Sequence, residues 1–104
     1  MSKIRVMLCC GAGMSSGFLA QRVRAEAKKQ KVDLQIDARS ENQVPQYYGK
    51  FDILLLGPHF KSQLPNYQKI SGDHGFKVDV IPQSIYGALD ARKLMDMINK
   101  MAAE

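Results

Sequence analysis

Residues 4–18 read IRVMLCCGAGMSSGF, and this stretch decides the fold. Ile4, Val6, Met7 and Leu8 make a short apolar run with β-branched members. Cys9 and Cys10 end it before a Gly-Ala-Gly turn, which is the pattern of a buried strand running into a loop. A helix is expected to follow, with Ser15 or Ser16 as N-cap and Phe18, Leu19, Arg22, Val23 and Ala27 recurring at helical spacing. Strand, small-residue loop and helix start together gather unpaired backbone N–H groups and the positive end of a helix dipole, an arrangement that stabilises an anion such as phosphate. Cys10 stands at the mouth of this cradle. Amides and dipole there favour a thiolate, the nucleophilic form of cysteine, and a nucleophilic sulfur in a phosphate cradle points to a phosphocysteine.

Outward from that stretch, the 104 residues suit one domain spanning 1–104. A hydrophobic content of 45% with 24% charged residues is that of an ordinary water-soluble domain, and no apolar run approaches the roughly 18 residues of a membrane span. The first residues, MSKIRVMLCC, lack the features of a signal peptide, so the expected location is cytoplasmic, without direct membrane insertion. Two adjacent cysteines form neither a disulfide framework nor a Cys-x-x-Cys pair, and a metal site would need more ligands. Reactivity is the better reason for one of them; no metal and no cofactor are expected. The formal charge of +5 favours acidic partners in general. Arg22, Arg24, Lys28, Lys29 and Lys31 lie along one helix and its end, a solvated face that complements the dipole, and no nucleic-acid partner is expected.

Strand and helix signals alternate along the chain. Val32–Ala38 alternates apolar and polar residues, as an edge strand does. Asn42–Tyr48 reads as a short helical turn or a loop. Phe51–Leu56 is almost continuously apolar up to Gly57-Pro58, as expected of a central strand buried on both faces. Phe60–Ile70 reads as a helix restarted near Pro65, with Leu64, Tyr67 and Ile70 or Lys69 on one side. Lys77–Ile81 reads as a fourth strand and Ala88–Ala103 as the last helix, with Leu89, Leu94, Met97, Ile98 and Met101 on its stripe. Parallel strands joined by right-handed crossovers follow. The expected fold is an α/β three-layer sandwich: a four-stranded parallel sheet in the order 2-1-3-4, helices on both faces, and the phosphate-binding loop after the first strand. Ligands of such sheets sit beyond the carboxyl ends of the strands, which places the site among Cys10–Ser16, Gly57–Lys61 and Pro82–Tyr86.

The segments CGAGMSSGFLAQRVRAEA, LLLGPHF and VIPQSIYGALDARKLMD, in that order, resemble the IIB component of the phosphoenolpyruvate-dependent sugar phosphotransferase system, in its lactose/cellobiose (chitobiose) class, over essentially the full length. The resemblance implies a phosphotransferase with a phosphocysteine intermediate. Its cysteine takes a phosphoryl group from a phosphohistidine of IIA and passes it to a sugar held by the membrane permease IIC, here a β-linked disaccharide such as cellobiose, chitobiose or lactose. It puts that role on Cys10, with Gly11, Ala12, Gly13, Met14, Ser15, Ser16 and Gly17 as the phosphate-binding loop. Pro58, His59, Ser84 and Tyr86 are expected at the rim. The family more often has glutamine where this chain has His59.

The residues also choose between the cysteines. Successive strand side chains face opposite ways, so Cys9 and Cys10 cannot both point into the loop, and Cys9 reads as a small buried hydrophobe. The cradle is similar to the Cys-x5-Arg loop of low-molecular-weight protein tyrosine phosphatases, but Ser16 stands at the arginine position and no Asp-Pro supplies a general acid. A loop without a bidentate guanidinium is poorly equipped for hydrolysis and better suited to a carrier. A phosphorylation-dependent regulatory module of the same fold and a phosphatase-like hydrolase are the alternatives. His59 reads as a loop hydrogen-bonding residue, His74 as an exposed turn residue, Tyr86 as either rim or anchor, and Met7, Met95, Met97 and Met101 as core. Met14, in a loop, suits an adaptable docking surface.

Overall fold

The computed structural model of the protein describes residues 3–9 and 14–103. Of the sequence expectations, those on Cys10, Gly11, Ala12 and Gly13 lie outside the described residues. The elements in order are β1 (Ile4–Cys9), α1 (Met14–Gln30), β2 (Leu34–Arg39), a 3-10 helix (Glu41–Tyr47), β3 (Ile53–Leu56), a second 3-10 helix (Pro58–Gln63), α2 (Leu64–His74), β4 (Lys77–Val80), α3 (Gln83–Ala88) and α4 (Ala91–Ala103). All neighbouring strands run parallel in the order β2-β1-β3-β4.

Alternation along the strands makes two apolar layers. Val6 and Leu8 of β1 and Ile53 and Leu55 of β3 face one side, where Leu19, Val23 and Ala27 of α1 and Leu94, Ile98 and Met101 of α4 cover them. Met7, Cys9, Leu54 and Leu56 face the other, packed with Val44, Phe51, Tyr67 and Phe76. All four β3 residues are buried, as a central strand covered on both faces requires, whereas β2 at the edge buries only Ile36. Each fully buried leucine contributes about 1.5–3 kcal/mol by leaving water.

Three helix boundaries differ from the sequence expectation. The helix expected over Phe60–Ile70 is a 3-10 turn to Gln63 and then α2, which restarts at Leu64 beside Pro65 as expected but runs on to His74, so His74 closes a helix and is not a turn residue. α1 starts at Met14, so Ser15 and Ser16 belong to its first turn and neither is the N-cap. Serine is tolerated in the first turn of a helix as well as at its cap, so the sequence pattern fits either register. The last helix does not run unbroken from Ala88: Leu89 adopts φ 51°, and α4 restarts with Asp90 Oδ1 accepting the Lys93 N–H at 3.1 Å. Asp90 is a true N-cap, and its local bond outweighs helical continuity in a sequence whose apolar spacing runs straight through the break. Gly75, at φ 75°, ends α2, its N–H donating to the Ser71 carbonyl at 2.8 Å.

At the amino end of the sheet, Arg5 Nη2 meets Asp52 Oδ1 at 2.9 Å, and the Asp52 N–H donates to the Arg5 carbonyl at 2.8 Å. The side-chain bond from Arg5 holds the Asp52 carboxyl below its ordinary range and raises the Arg5 guanidinium in turn.

Candidate functional site

The carboxyl ends of the strands meet in register. Cys9 lies opposite Leu56, and Leu56 opposite Val80. The Gly57 N–H then donates to the Cys9 carbonyl at 3.0 Å and the Ile81 N–H to the Leu56 carbonyl at 2.8 Å, so the chains leaving β3 and β4 stay fastened to the neighbouring strand for one residue more.

α1 is pinned over the same end. Leu19, Ala20 and Val23 bury its inner face, which fixes its first turn above the end of β1. That turn holds Met14, Ser15, Ser16 and Gly17 and carries no acidic residue. The first N–H groups of a helix have no intrahelical acceptor, and a 17-residue helix adds the positive end of its dipole. The backbone between Cys9 and Met14 is the four-residue span of Cys10 to Gly13.

Of the expected rim, the structure brings Pro58, His59 and Tyr86 together. Pro58 opens the 3-10 helix after an extended Gly57 (φ −61°, ψ 156°), and the turn closes with the Phe60 N–H on the Gly57 carbonyl at 2.9 Å. His59 is exposed as a residue, yet its ring folds back over Gly57: a Cβ on Gly57 would come within 2.9 Å of His59 Cε1 and 3.3 Å of Nε2. The ring is tilted against Phe60 at 4.8 Å and meets Tyr86 edge to face, centroids 5.9 Å apart at 76°. Tyr86 is half-buried against the larger apolar layer, and α3 begins with the Ile85 and Tyr86 N–H groups both on the Pro82 carbonyl at 3.0 Å. Tyr86 thus packs on the core from α3 and meets the His59 ring at the same time. Ser84 is exposed on α3.

Cys9 is fully buried in the layer of Met7, Val44 and Leu56. Nearby, burial first and the Cys9 sulfur second push the Tyr48 phenol up. His74 is exposed at the end of α2, with its ring stacked on Tyr48 at 4.6 Å. Among the described residues no three His, Cys, Asp or Glu side chains gather where a metal ion could be held, and no helix is long and apolar enough to cross a membrane. Arg22, Lys28 and Lys29 are exposed on α1, and Arg24 bonds to the Ile36 carbonyl and Asp37 across to β2.

Two features escaped the sequence reading. Phe18 follows the apolar spacing of α1 but is 61% exposed, at the margin of a groove of about 360 Å³ that also touches Gly17, Arg24 and Arg39. Arg39 ends β2 at this same edge of the sheet, its guanidinium 5.3 Å over the Tyr47 ring. The signal for Phe18 was its position beside Leu19 and Ala20: a helix buries one stripe, and that stripe is complete without it. A second groove, of about 550 Å³, runs past Pro58, Lys61, Ile81 and Pro82 on the other flank.

A family model described as the lactose/cellobiose-specific IIB subunit of the phosphotransferase system matches residues 5–97. The chain is 26% identical to an oligo-beta-mannoside-specific EIIB component of Bacillus subtilis over 89 residues, which is 86% of each chain. It is similar to the solution structure of a cellobiose-specific phosphotransferase IIB component from Borrelia burgdorferi, at 27% identity and a TM-score of 0.77 over 98% of this chain and 94% of that one. A lactose-specific IIB domain from Streptococcus pneumoniae shares the fold at 16% identity, with a TM-score of 0.87 over 96% and 98% of the two chains.

Proposed function

This chain belongs to the lactose/cellobiose-specific IIB family of the phosphotransferase system, and we propose that within it Cys10 is the phosphoryl carrier, charged by the phosphohistidine of a IIA protein and discharged to a sugar bound by the IIC permease. The observation that carries the reading is the frame around residues 10–13: β1 stops at Cys9, α1 starts at Met14, and Cys10 is the only cysteine in that interval. Cys9 itself turns into the layer away from α1 and is buried among Met7, Val44 and Leu56, which leaves Cys10 as the cysteine open to the role.

The transfer balances without a further reactant. The Cys10 thiolate supplies the electron pair of the new S–P bond. The P–N pair stays on the donor ring nitrogen, and that imidazole, protonated at its other nitrogen, leaves neutral. The first N–H groups of α1 have no intrahelical acceptor and the helix dipole favours the added negative charge, so the start of α1 suits the phosphoryl oxygens. Ser16 stands where a phosphatase has its arginine, so the phosphocysteine is not pressed toward hydrolysis and persists until its acceptor arrives. The donor covers Phe18, Pro58 and His59, with Arg39 and Lys61 at the margins to steer an anionic phosphoprotein. The sugar is a β-linked disaccharide of the cellobiose, chitobiose or lactose kind, selected by IIC. Incubation with phosphoenolpyruvate, the general phosphotransferase proteins and a matching IIA is expected to add one phosphoryl group by intact mass. A chain that stays unlabelled while a cellobiose-specific IIB control is labelled would overturn the reading.

A further inference from the structure

We propose that His59 is a phosphoryl-contacting residue of this site, a side-chain hydrogen-bond donor to the group on Cys10 in place of the guanidinium that the loop lacks; the proposal rests on the reading of Cys10 as carrier. The geometry of the described residues carries it. Gly57 is bonded through its N–H to the Cys9 carbonyl, so it sits beside the point where the chain leaves β1 for Cys10. The side of Gly57 that a Cβ would occupy is filled by the His59 ring, whose Cε1, Nε2 and Nδ1 would lie 2.9, 3.3 and 3.4 Å from such an atom.

That side can be identified. Leu54 and Leu56 face the layer of Cys9, while Ile53 and Leu55 face the layer of α1, so the position after Leu56 faces α1 as well. Tyr86, which packs on the α1 layer and meets the His59 ring edge-on at 5.9 Å, is on that same side. The imidazole therefore stands at the carboxyl end of β3 on the side where the first turn of α1 lies. Tyr86 and Phe60 hold it on two sides, which limits the rotamers lost when it engages a ligand. A glycine at 57 is what leaves room for it.

The chemistry fits a phosphoryl group. An imidazole N–H donates one directed bond to a phosphoryl oxygen, and because that oxygen is anionic the bond is charge-assisted. No proton is transferred: the S–P bond forms and the P–N bond breaks as above, and His59 leaves the step with the protons it brought. Among the described residues, the titratable groups on the elements around the ring are Tyr86 on α3 and Lys61 on its own 3-10 helix.

The test uses the full chain with phosphoenolpyruvate, the general proteins and IIA. His59→Phe keeps an aromatic ring against Tyr86 and Phe60 but removes the donor, and His59→Gln keeps a donor. His59→Phe is expected to slow phosphorylation roughly tenfold, the worth of one charge-assisted hydrogen bond, with His59→Gln within about threefold of the unaltered chain. On phosphorylation the imidazole 15N resonances of His59 should shift, and the 31P resonance of the phosphocysteine should differ in His59→Phe. Equal rates and an unmoved 31P resonance in His59→Phe overturn the proposal while the unaltered chain still labels at Cys10. A chain that never labels overturns the carrier reading, and this proposal with it.

Discussion

The Gly57 N–H donates to the Cys9 carbonyl at 3.0 Å, which ties the turn that carries His59 to the last described residue before Cys10. A change at Gly57 is therefore felt at both. Its φ of −61° suits any residue, so Gly57→Ala brings no backbone strain, only a Cβ 2.9 Å from His59 Cε1. The exposed imidazole can swing away, giving up its contacts with the Tyr86 and Phe60 rings. Gly57→Ala is expected to lose less than about 1 kcal/mol of stability in urea unfolding, yet to slow phosphorylation as much as His59→Phe does. A Gly57→Ala protein that transfers at the full rate would show that the ring's place over Gly57 is immaterial.

The cysteines should separate cleanly. Cys10→Ser is expected to abolish labelling by phosphoenolpyruvate and IIA while leaving circular dichroism unchanged, whereas Cys9→Ser keeps the label. Cys9 is fully buried among apolar side chains, so a hydroxyl there costs roughly 1–3 kcal/mol, read as a lower unfolding midpoint. Equal labelling of Cys10→Ser would move the carrier role elsewhere.

The Arg5–Asp52 pair gives a dependence on acid. Hydrogen bonding from Arg5 holds the Asp52 carboxyl below its ordinary 3.8, so the folded state binds this proton less readily than the unfolded one. The stability it contributes is fully present above that ordinary value and is lost as pH falls through the lower folded value. Because the Asp52 side chain is 47% exposed, solvent screening limits the gain to under about 1 kcal/mol. Asp52→Asn should therefore be slightly less stable than the unaltered chain at pH 7, and the gap should close in strong acid. A gap that is constant with pH would mean that packing, not charge, is what Asp52 supplies.

How much of this was legible beforehand follows from what each residue's neighbours are. The strand order, the central β3 and the burial of Cys9 were readable because burial on both faces, or on one, leaves a period in the sequence. The break at Leu89 and the early start of α1 were not, because a cap such as Asp90 is one local hydrogen bond inside an unbroken apolar spacing. For the site, Pro58, His59 and Tyr86 could be assigned to one end of the sheet from topology alone. That the His59 ring folds over Gly57 depends on a missing Cβ and on a tyrosine 27 positions further on, 86 against 59, which no local pattern encodes.

Docking of the donor offers the sharpest test of the surface. A histidine-borne phosphoryl group can reach Cys10 only if the IIA surface closes over the end of the sheet, and the described residues available there are Gly17, Phe18, Pro58 and His59, with Lys61 and Arg39 outside them. Phe18 is the large apolar side chain that the core does not use, and it stands in the second turn of the helix whose first turn borders the loop. An exposed aromatic beside a groove is the usual form of an interface anchor, while charges at the margin set the encounter rate more than the affinity. Phe18→Ala is therefore expected to leave stability within about 0.5 kcal/mol and to raise the KM for phosphorylated IIA roughly tenfold, with the rate at saturation little changed. Arg39→Gln should slow association mainly at low ionic strength, because salt screens a margin charge. Titration with IIA should move the amides of residues 14–18, 58–61 and 83–86 most. Largest shifts near Asp33 or Lys50, at the opposite end of the strands, would put the partner on the wrong side of the molecule for any transfer to Cys10.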